Sequence, residues 1–196
     1  MRPVDYAVEG LLDAAVVRKL FATSKIPVGR NFGGSGKNFI LSRLSKWNQA
    51  AKYSPWFVMV DLDQEACVPL ALKNWLPAPS PLMRFRIAVK EVESWLLADR
   101  AGLGEFLGFD PTKIPLSPDE LEDPKSALLT LCRSSNDSSV KKDMLPRDNY
   151  KSLEGPAYAS RLTSFVGEAW NPKEARKVSP SLDKCLTTLK AFRATL

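Results

Sequence analysis

The stretch "PWFVMVDLD", residues 55–63, limits what this chain can fold into more than any other. Trp56 to Val60 form an unbroken apolar run that starts after Pro55 and ends in carboxylates. A run with no polar alternation is the pattern of a strand covered on both faces, as in a parallel sheet flanked by helices. Its neighbours agree. "PVDYAVEG" alternates Val4, Tyr6 and Val8 and reaches Gly10, which reads as a short strand and a turn. "LLDAAVVRKLF" follows as a helix, with Leu12, Val16 and Leu20 on one face. Residues 24–36 read as loop, with room for a short strand at "KIPV", and residues 37–52 as an amphipathic helix carrying Phe39, Ile40, Leu44 and Trp47. "CVPLALKNWL" is helical, "PAPSP" a turn, and "LMRFRIAVKEVESWLLADR" a strand that becomes a helix near Glu93. This alternation over residues 1–100 predicts an α/β core with a mainly parallel sheet.

Residues 101–196 carry no strand pattern and read as a helical C-terminal extension packed on that core as one compact unit. "DPKSALLTLCRSS", "PAYASRLTSFVGEAW" and "PSLDKCLTTLKAFRATL" have helical spacing. The first and last begin with Asp123–Pro124 and Ser179–Pro180, a capping residue before a proline at the first helical position. "SSNDSSVKKD" is polar and reads as a mobile loop.

Composition excludes more than it assigns. The 196 residues contain no histidine, so Ser-His-Asp and Cys-His hydrolysis, histidine-ligated zinc and histidine proton shuttles are ruled out. Chemistry on this chain rests on carboxylates, lysine, arginine, hydroxyls, thiols or a metal held by oxygen. The three cysteines, Cys67, Cys132 and Cys185, are widely separated, lack metal-ligand spacing and fit a reducing cytoplasm. No apolar stretch approaches the roughly 20 residues of a membrane span, and "MRPVDYAVEG" has no secretory core. The net charge of +6 is compatible with a polyanionic partner.

The glycine-rich "NFGGSGKN", residues 31–38, looks at first like a phosphate loop. A P-loop needs G-x-x-x-x-G-K followed by Ser or Thr, directly after a buried strand. Gly36 and Lys37 fit, but Asn31 stands where the first glycine belongs and Asn38 where the magnesium hydroxyl belongs. The expectation is a flexible or phosphate-approaching loop that leads into a helix, not a nucleotide cradle.

Carboxylates follow three of the expected strands: Glu9 after "YAV", Asp61 and Asp63 after "WFVMV", Glu91 and Glu93 after "FRIAVK". Ligands of open α/β sheets sit at the carboxyl ends of strands, so acids there converge if the strands are neighbours. Gathered acids repel, and a divalent cation with hard oxygen ligands relieves that repulsion. In an extended "DLD", Asp61 and Asp63 point the same way and can reach one metal or a metal pair. A single acid after a strand is otherwise a helix cap or a solvated loop residue.

In this order, "VEG" after a first strand and "DLD" after an apolar strand resemble the TOPRIM fold of topoisomerases, primases and OLD-type nucleases. With "EVESWLLAD" and the distal "NYKSLEGPAYASRL" and "SPSLDKCLTTL", the chain is similar to small stand-alone bacterial TOPRIM-like proteins, some encoded beside an ABC-type ATPase and linked with phage defence. The resemblance covers most of the chain. It implies that Glu9 matches the TOPRIM glutamate and Asp61 and Asp63 the DxD metal ligands. Glu93 is then an added acidic ligand, with Glu91 the second choice. Mg²⁺ or Mn²⁺ is the implied cofactor, nucleic acid (DNA first) the substrate, and an ABC-type ATPase a partner. Lys90 and Lys37 are candidates to stabilise phosphate charge, as are Arg84 and Arg86, which alternatively line a strand face. The leading expectation is a metal-dependent nuclease with catalytic Glu9, Asp61, Asp63, Glu93 and Lys90. The alternative is a non-catalytic or conditionally active module that docks on a partner ATPase. Trp95, Leu96 and Asp99 read as structural.

Overall fold

The computed structural model describes residues 1–62, 67–88, 90–146 and 152–196. The chain divides into two compact units, Met1–Val89 with Lys184–Leu196, and Lys90–Asp183. The division therefore falls near residue 89 rather than 100, and the chain's last residues return to the first unit.

The first unit is α/β. Strands β1 (Val4–Ala7), β2 (Val28–Asn31), β3 (Trp56–Asp61) and β4 (Met83–Ala88) form an all-parallel sheet in the order β2-β1-β3-β4. Helices α1 (Leu11–Thr23), α2 (Gly36–Ala50) and α3 (Val68–Trp75) connect them. Side chains alternate along β3, so Trp56, Val58 and Val60 join Ile40, Leu44 and Trp47 of α2, Ala71 of α3 and Met83 and Ile87 of β4 in one apolar core. Trp47 stacks on Trp56 at 5.4 Å. The opposite face takes Phe57 and Tyr6, which meet Phe21 of α1 edge-on at 5.5 Å and 5.9 Å. The sheet is thus covered on both sides, as the uninterrupted apolar run of β3 requires.

Why the first helix starts where it does is visible in its cap. The Asp13 carboxylate accepts from the Gly10 N–H at 2.9 Å, satisfying a group that the helix itself leaves open. The second strand lies later than "KIPV", at Val28–Asn31, on an exposed edge of the sheet.

Among its described residues the second unit is helical. It holds α4 (Glu93–Leu97), α5 (Arg100–Leu107), α6 (Pro124–Arg133), α7 (Ser138–Met144), α8 (Tyr158–Glu168) and α9 (Pro172–Ala175), with 3-10 turns at Pro111–Lys113 and Pro118–Glu120. The division passes through α10 (Pro180–Arg193), between Asp183 and Lys184. Asp123 caps α6 by accepting from the Ser126 N–H at 2.7 Å, as the Asp–Pro start predicts. The expectation of a mobile loop over "SSNDSSVKKD" is corrected. Asp137 accepts from the Ser139 N–H at 2.7 Å and starts α7, which buries Val140 and Met144 four residues apart. Two apolar residues at helical spacing suffice in this otherwise polar stretch because the capping aspartate fixes the start.

Trp95 and Leu96 are core residues, and the Trp95 Nε1–H donates to Ser181 Oγ at 2.7 Å. Asp99 is structural too: it accepts from the Gly102 N–H at the start of α5 and from the Asn171 N–H at 2.7 Å.

Candidate functional site

Chain order sets the site. From β1 the sheet grows one way to β2 and the other way to β3 and β4, so the direction of winding reverses between β1 and β3. Open parallel sheets bind ligands in the crevice beyond the strand ends at such a reversal, because the two connecting helices diverge there. Glu9 stands two residues beyond β1, and Asp61 is the last residue of β3. The Asp61 N–H donates to Glu9 Oε1 at 2.9 Å, tying the ends of the two strands together.

The glycine-rich loop is the third wall. It continues the pairing of β2 along the segment after β1: the Phe32, Gly34 and Gly36 N–H groups donate to the carbonyls of Tyr6, Val8 and Glu9 at 2.8, 2.8 and 3.2 Å. Gly33 lies so close to the Val8 backbone that a Cβ there would overlap the Val8 nitrogen and carbonyl oxygen. Gly34 and Gly36 have φ of 97° and 77°, which other residues rarely adopt. The glycines therefore let the loop hug β1 and turn into α2. The N–H groups of Gly34 and Gly36 point inward to β1, whereas a phosphate cradle would aim them at a ligand. Lys37 follows. Its ammonium donates to the Leu62 carbonyl at 3.2 Å and lies 4.6 Å from the centre of the Trp75 ring. A cation is thus anchored beside the segment that leaves β3.

These residues bring together Glu9, Asp61 and Lys37; Asp63 lies outside the described residues. Among the described residues no group of three or more acidic or cysteine side chains converges as a metal cluster. Two hard oxygen donors suit Mg²⁺ or Mn²⁺ nonetheless, since Mg²⁺ is commonly held by one or two carboxylates and completes its shell with water and substrate phosphate.

Arg84 and Arg86 occupy the other face of β4. The Arg84 guanidinium donates to the Pro81 and Met83 carbonyls at 2.9 Å each and lies 4.3 Å from the centre of the Phe192 ring. Partial burial lowers its pKa. Arg86 acts on Cys185, whose thiol burial pushes up to about 11 against the opposing pull of that guanidinium. Arg84 is thus tied to its own strand and to Phe192 of α10.

The remaining expected residues, Lys90, Glu91 and Glu93, belong to the second unit. Lys90 donates to the Glu122 carbonyl at 3.2 Å. Glu93 is buried, and Tyr158 donates its hydroxyl to Glu93 Oε1 at 2.9 Å. The Lys125 ammonium stands 4.0 Å from Glu93, 3.9 Å from Glu91 and 3.6 Å from Glu154. Burial raises the Glu93 pKa to about 7; Lys125 pulls it down, Glu91 pushes it up, and the Tyr158 hydrogen bond pulls it down. On Lys125 burial acts downward, yet Glu93, Glu154 and Glu91 together raise its pKa. Among the described residues one cation, Lys125, faces three carboxylates, and Tyr158 satisfies the deepest of them. Lys125, Glu154 and Tyr158 carry no local sequence signal, because they reach Glu93 only through tertiary contacts of α6, of the segment before α8 and of the first residue of α8.

Charge separates the units as sharply as chemistry. Of the 28 Lys and Arg residues, 15 fall in the α/β unit, against 6 of the 22 Asp and Glu, a formal +9. The helical unit holds the other 13 and 16, a formal −3. The Glu9–Asp61 edge is therefore a small acidic spot on a strongly basic body.

Comparison of the chain with protein-family models, curated proteins and solved structures gives no significant match.

Proposed function

We propose that the chain is a Mg²⁺- or Mn²⁺-dependent nuclease of TOPRIM type, hydrolysing phosphodiester bonds at the Glu9–Asp61 edge. The observation that carries this reading is the placement of Glu9 and Asp61, the Glu9 carboxylate accepting from the Asp61 backbone N–H at 2.9 Å, at the winding reversal of a parallel sheet. Glu9 and Asp61, with Asp63 following, would hold the cation. Such a cation supplies Lewis acidity toward a phosphoryl oxygen and a water of lowered pKa. The chain's own residues do the rest. Glu9, hydrogen-bonded to the Asp61 backbone, keeps the spacing of the strand ends, while Lys37, anchored on the Leu62 carbonyl, places positive charge where a scissile phosphate gathers negative charge. The +9 of the surrounding unit favours the approach of a polyanion.

The test is hydrolysis of labelled single- and double-stranded DNA and RNA with Mn²⁺ or Mg²⁺ by wild type and by Asp61→Ala/Asp63→Ala. Cleavage lost in the variant and in EDTA supports the reading. Cleavage that persists unchanged in the variant refutes it. Wild type inactive alone but active with an ABC-type ATPase partner selects the conditionally active form, in which this chain is the effector of a bacterial anti-phage system.

A further inference from the structure

Eight Lys and Arg residues and no acid occur between Asp13 and Asp61: Arg18, Lys19, Lys25, Arg30, Lys37, Arg43, Lys46 and Lys52. Folding concentrates part of this charge on one element. The buried side of α2 is Ile40, Leu44, Trp47 and Asn48, and its solvent side carries Asn38, Ser42, Arg43, Ser45, Lys46 and Gln49, with Lys52 just beyond its end. This 15-residue helix has no carboxylate, so its exposed cations gain no i, i+4 ion pair within the helix. Every polar side chain it shows to water carries at least one hydrogen-bond donor, and none is anionic.

The position of the helix gives that face a direction. Its first residue, Gly36, donates to the Glu9 carbonyl, and Lys37 reaches the Leu62 carbonyl, so α2 starts at the acidic edge and runs away from it. At 1.5 Å per residue, Arg43 stands roughly 9 Å and Lys46 roughly 14 Å along the axis from Lys37. The Arg43 guanidinium rests 4.3 Å from the centre of the Phe39 ring, which holds it in place before any ligand arrives. Arg, Lys, Asn, Ser and Gln are the side chains that contact phosphate and sugar oxygens without reading base sequence. The helix length of roughly 22 Å matches about six phosphates of one strand at 3.4 Å each.

We infer that the solvent face of α2 and the turn that follows it, through Arg43, Lys46 and Lys52 with Ser45 and Gln49 between them and Asn38 ahead of them, is a rail for a nucleic-acid backbone that guides the strand to the Glu9–Asp61 edge. This deepens the nuclease reading by naming where its substrate docks, and its binding half stands without catalysis. Contacts to the backbone alone predict little sequence preference and a strong dependence on salt.

The experiment is fluorescence anisotropy of a labelled 20-base-pair duplex in EDTA, so that no metal-dependent cleavage enters, over a series of salt concentrations. Wild type is compared with Arg43→Ala/Lys46→Ala/Lys52→Ala. A control, Lys184→Ala/Lys190→Ala/Arg193→Ala, removes the same charge from exposed positions of α10 in the same unit. All six side chains are exposed, and circular dichroism verifies that each variant folds. Three lost phosphate contacts lower the salt slope by about 2.7 and weaken binding at 0.1 M salt on the order of a hundredfold. The α10 control should retain most of the wild-type affinity. Equal losses in both variants would mean diffuse attraction by net charge and would overturn the rail. So would an unchanged α2 variant, or a wild type that binds phosphatidylserine vesicles and not the duplex. Failure of the nuclease reading shows separately, as duplex binding with the expected slope but no cleavage when Mn²⁺ is restored, either alone or with an ABC-type ATPase partner.

Discussion

Replacing Glu93 with glutamine removes a buried charge and leaves an acceptor for the Tyr158 hydroxyl, so the consequence can be worked from the structure. In the folded chain burial raises the Glu93 pKa from an ordinary 4.5 to about 7. Below pH 4.5 the carboxyl is protonated in both folded and unfolded chains and contributes no difference. Between 4.5 and 7 the folded chain keeps a proton that the unfolded chain has released, so stability falls as pH rises through this window. Above 7 both forms are ionised and the folded chain bears the full cost. At 1.36 kcal/mol per pKa unit that cost reaches about 3 kcal/mol. Glutamine cannot ionise, and Glu93→Gln therefore gains on wild type by up to about 3 kcal/mol between pH 5 and pH 8. Lys125, left with Glu91 and Glu154, still has carboxylates to balance it. Urea unfolding at pH 5, 6, 7 and 8, followed by circular dichroism, reads the difference as a shift in midpoint at constant slope. A Glu93→Gln minus wild-type difference that does not change over this range would refute the argument. It would show that Glu93 is solvated or remains ionised in the folded state.

Further outcomes follow from other residues. Cys132 and Cys185 are buried, with thiols pushed up to about 12 and about 11, while Cys67 is exposed; native protein at pH 8 should release one equivalent in a thiol titration, rising to three in denaturant. Gly33→Ala should destabilise the chain by about 1–3 kcal/mol in denaturant unfolding, because its Cβ would overlap the Val8 backbone. Asp137→Ala should cost about 1 kcal/mol by removing the cap of α7, and hydrogen exchange should show the loss concentrated at residues 138–144.

The parts of the fold that the sequence disclosed are those where local pattern and tertiary role coincide. The run from Trp56 to Val60 reads as a buried strand because helices cover both its faces. Asp123 before Pro124 marks a helix start because the cap is a local interaction. By contrast, β2 is short and largely exposed, with little apolar signal in "VGRN", so its position shifts from the sequence expectation. In α7 a polar composition masks the i, i+4 pair Val140 and Met144. The placement of Glu9 and Asp61 at neighbouring strand ends was legible because each acid directly follows an apolar strand run, and that of Lys37 because it closes the glycine-rich loop. The surroundings of Glu93 were not legible: Lys125 and Tyr158 are 32 and 65 positions away in the chain, and no local spacing encodes their arrival. The charge contrast between the units was present in the sequence but needed the division at residue 89 to become visible.

The measurement that tests the central claim most directly is calorimetric titration of Mn²⁺ into metal-free protein, wild type beside Asp61→Ala/Asp63→Ala, with Mg²⁺ in parallel. A cation site at the end of β3 predicts saturable binding by wild type that the variant loses while its circular dichroism stays unchanged. Saturable binding of equal affinity in both proteins would contradict it.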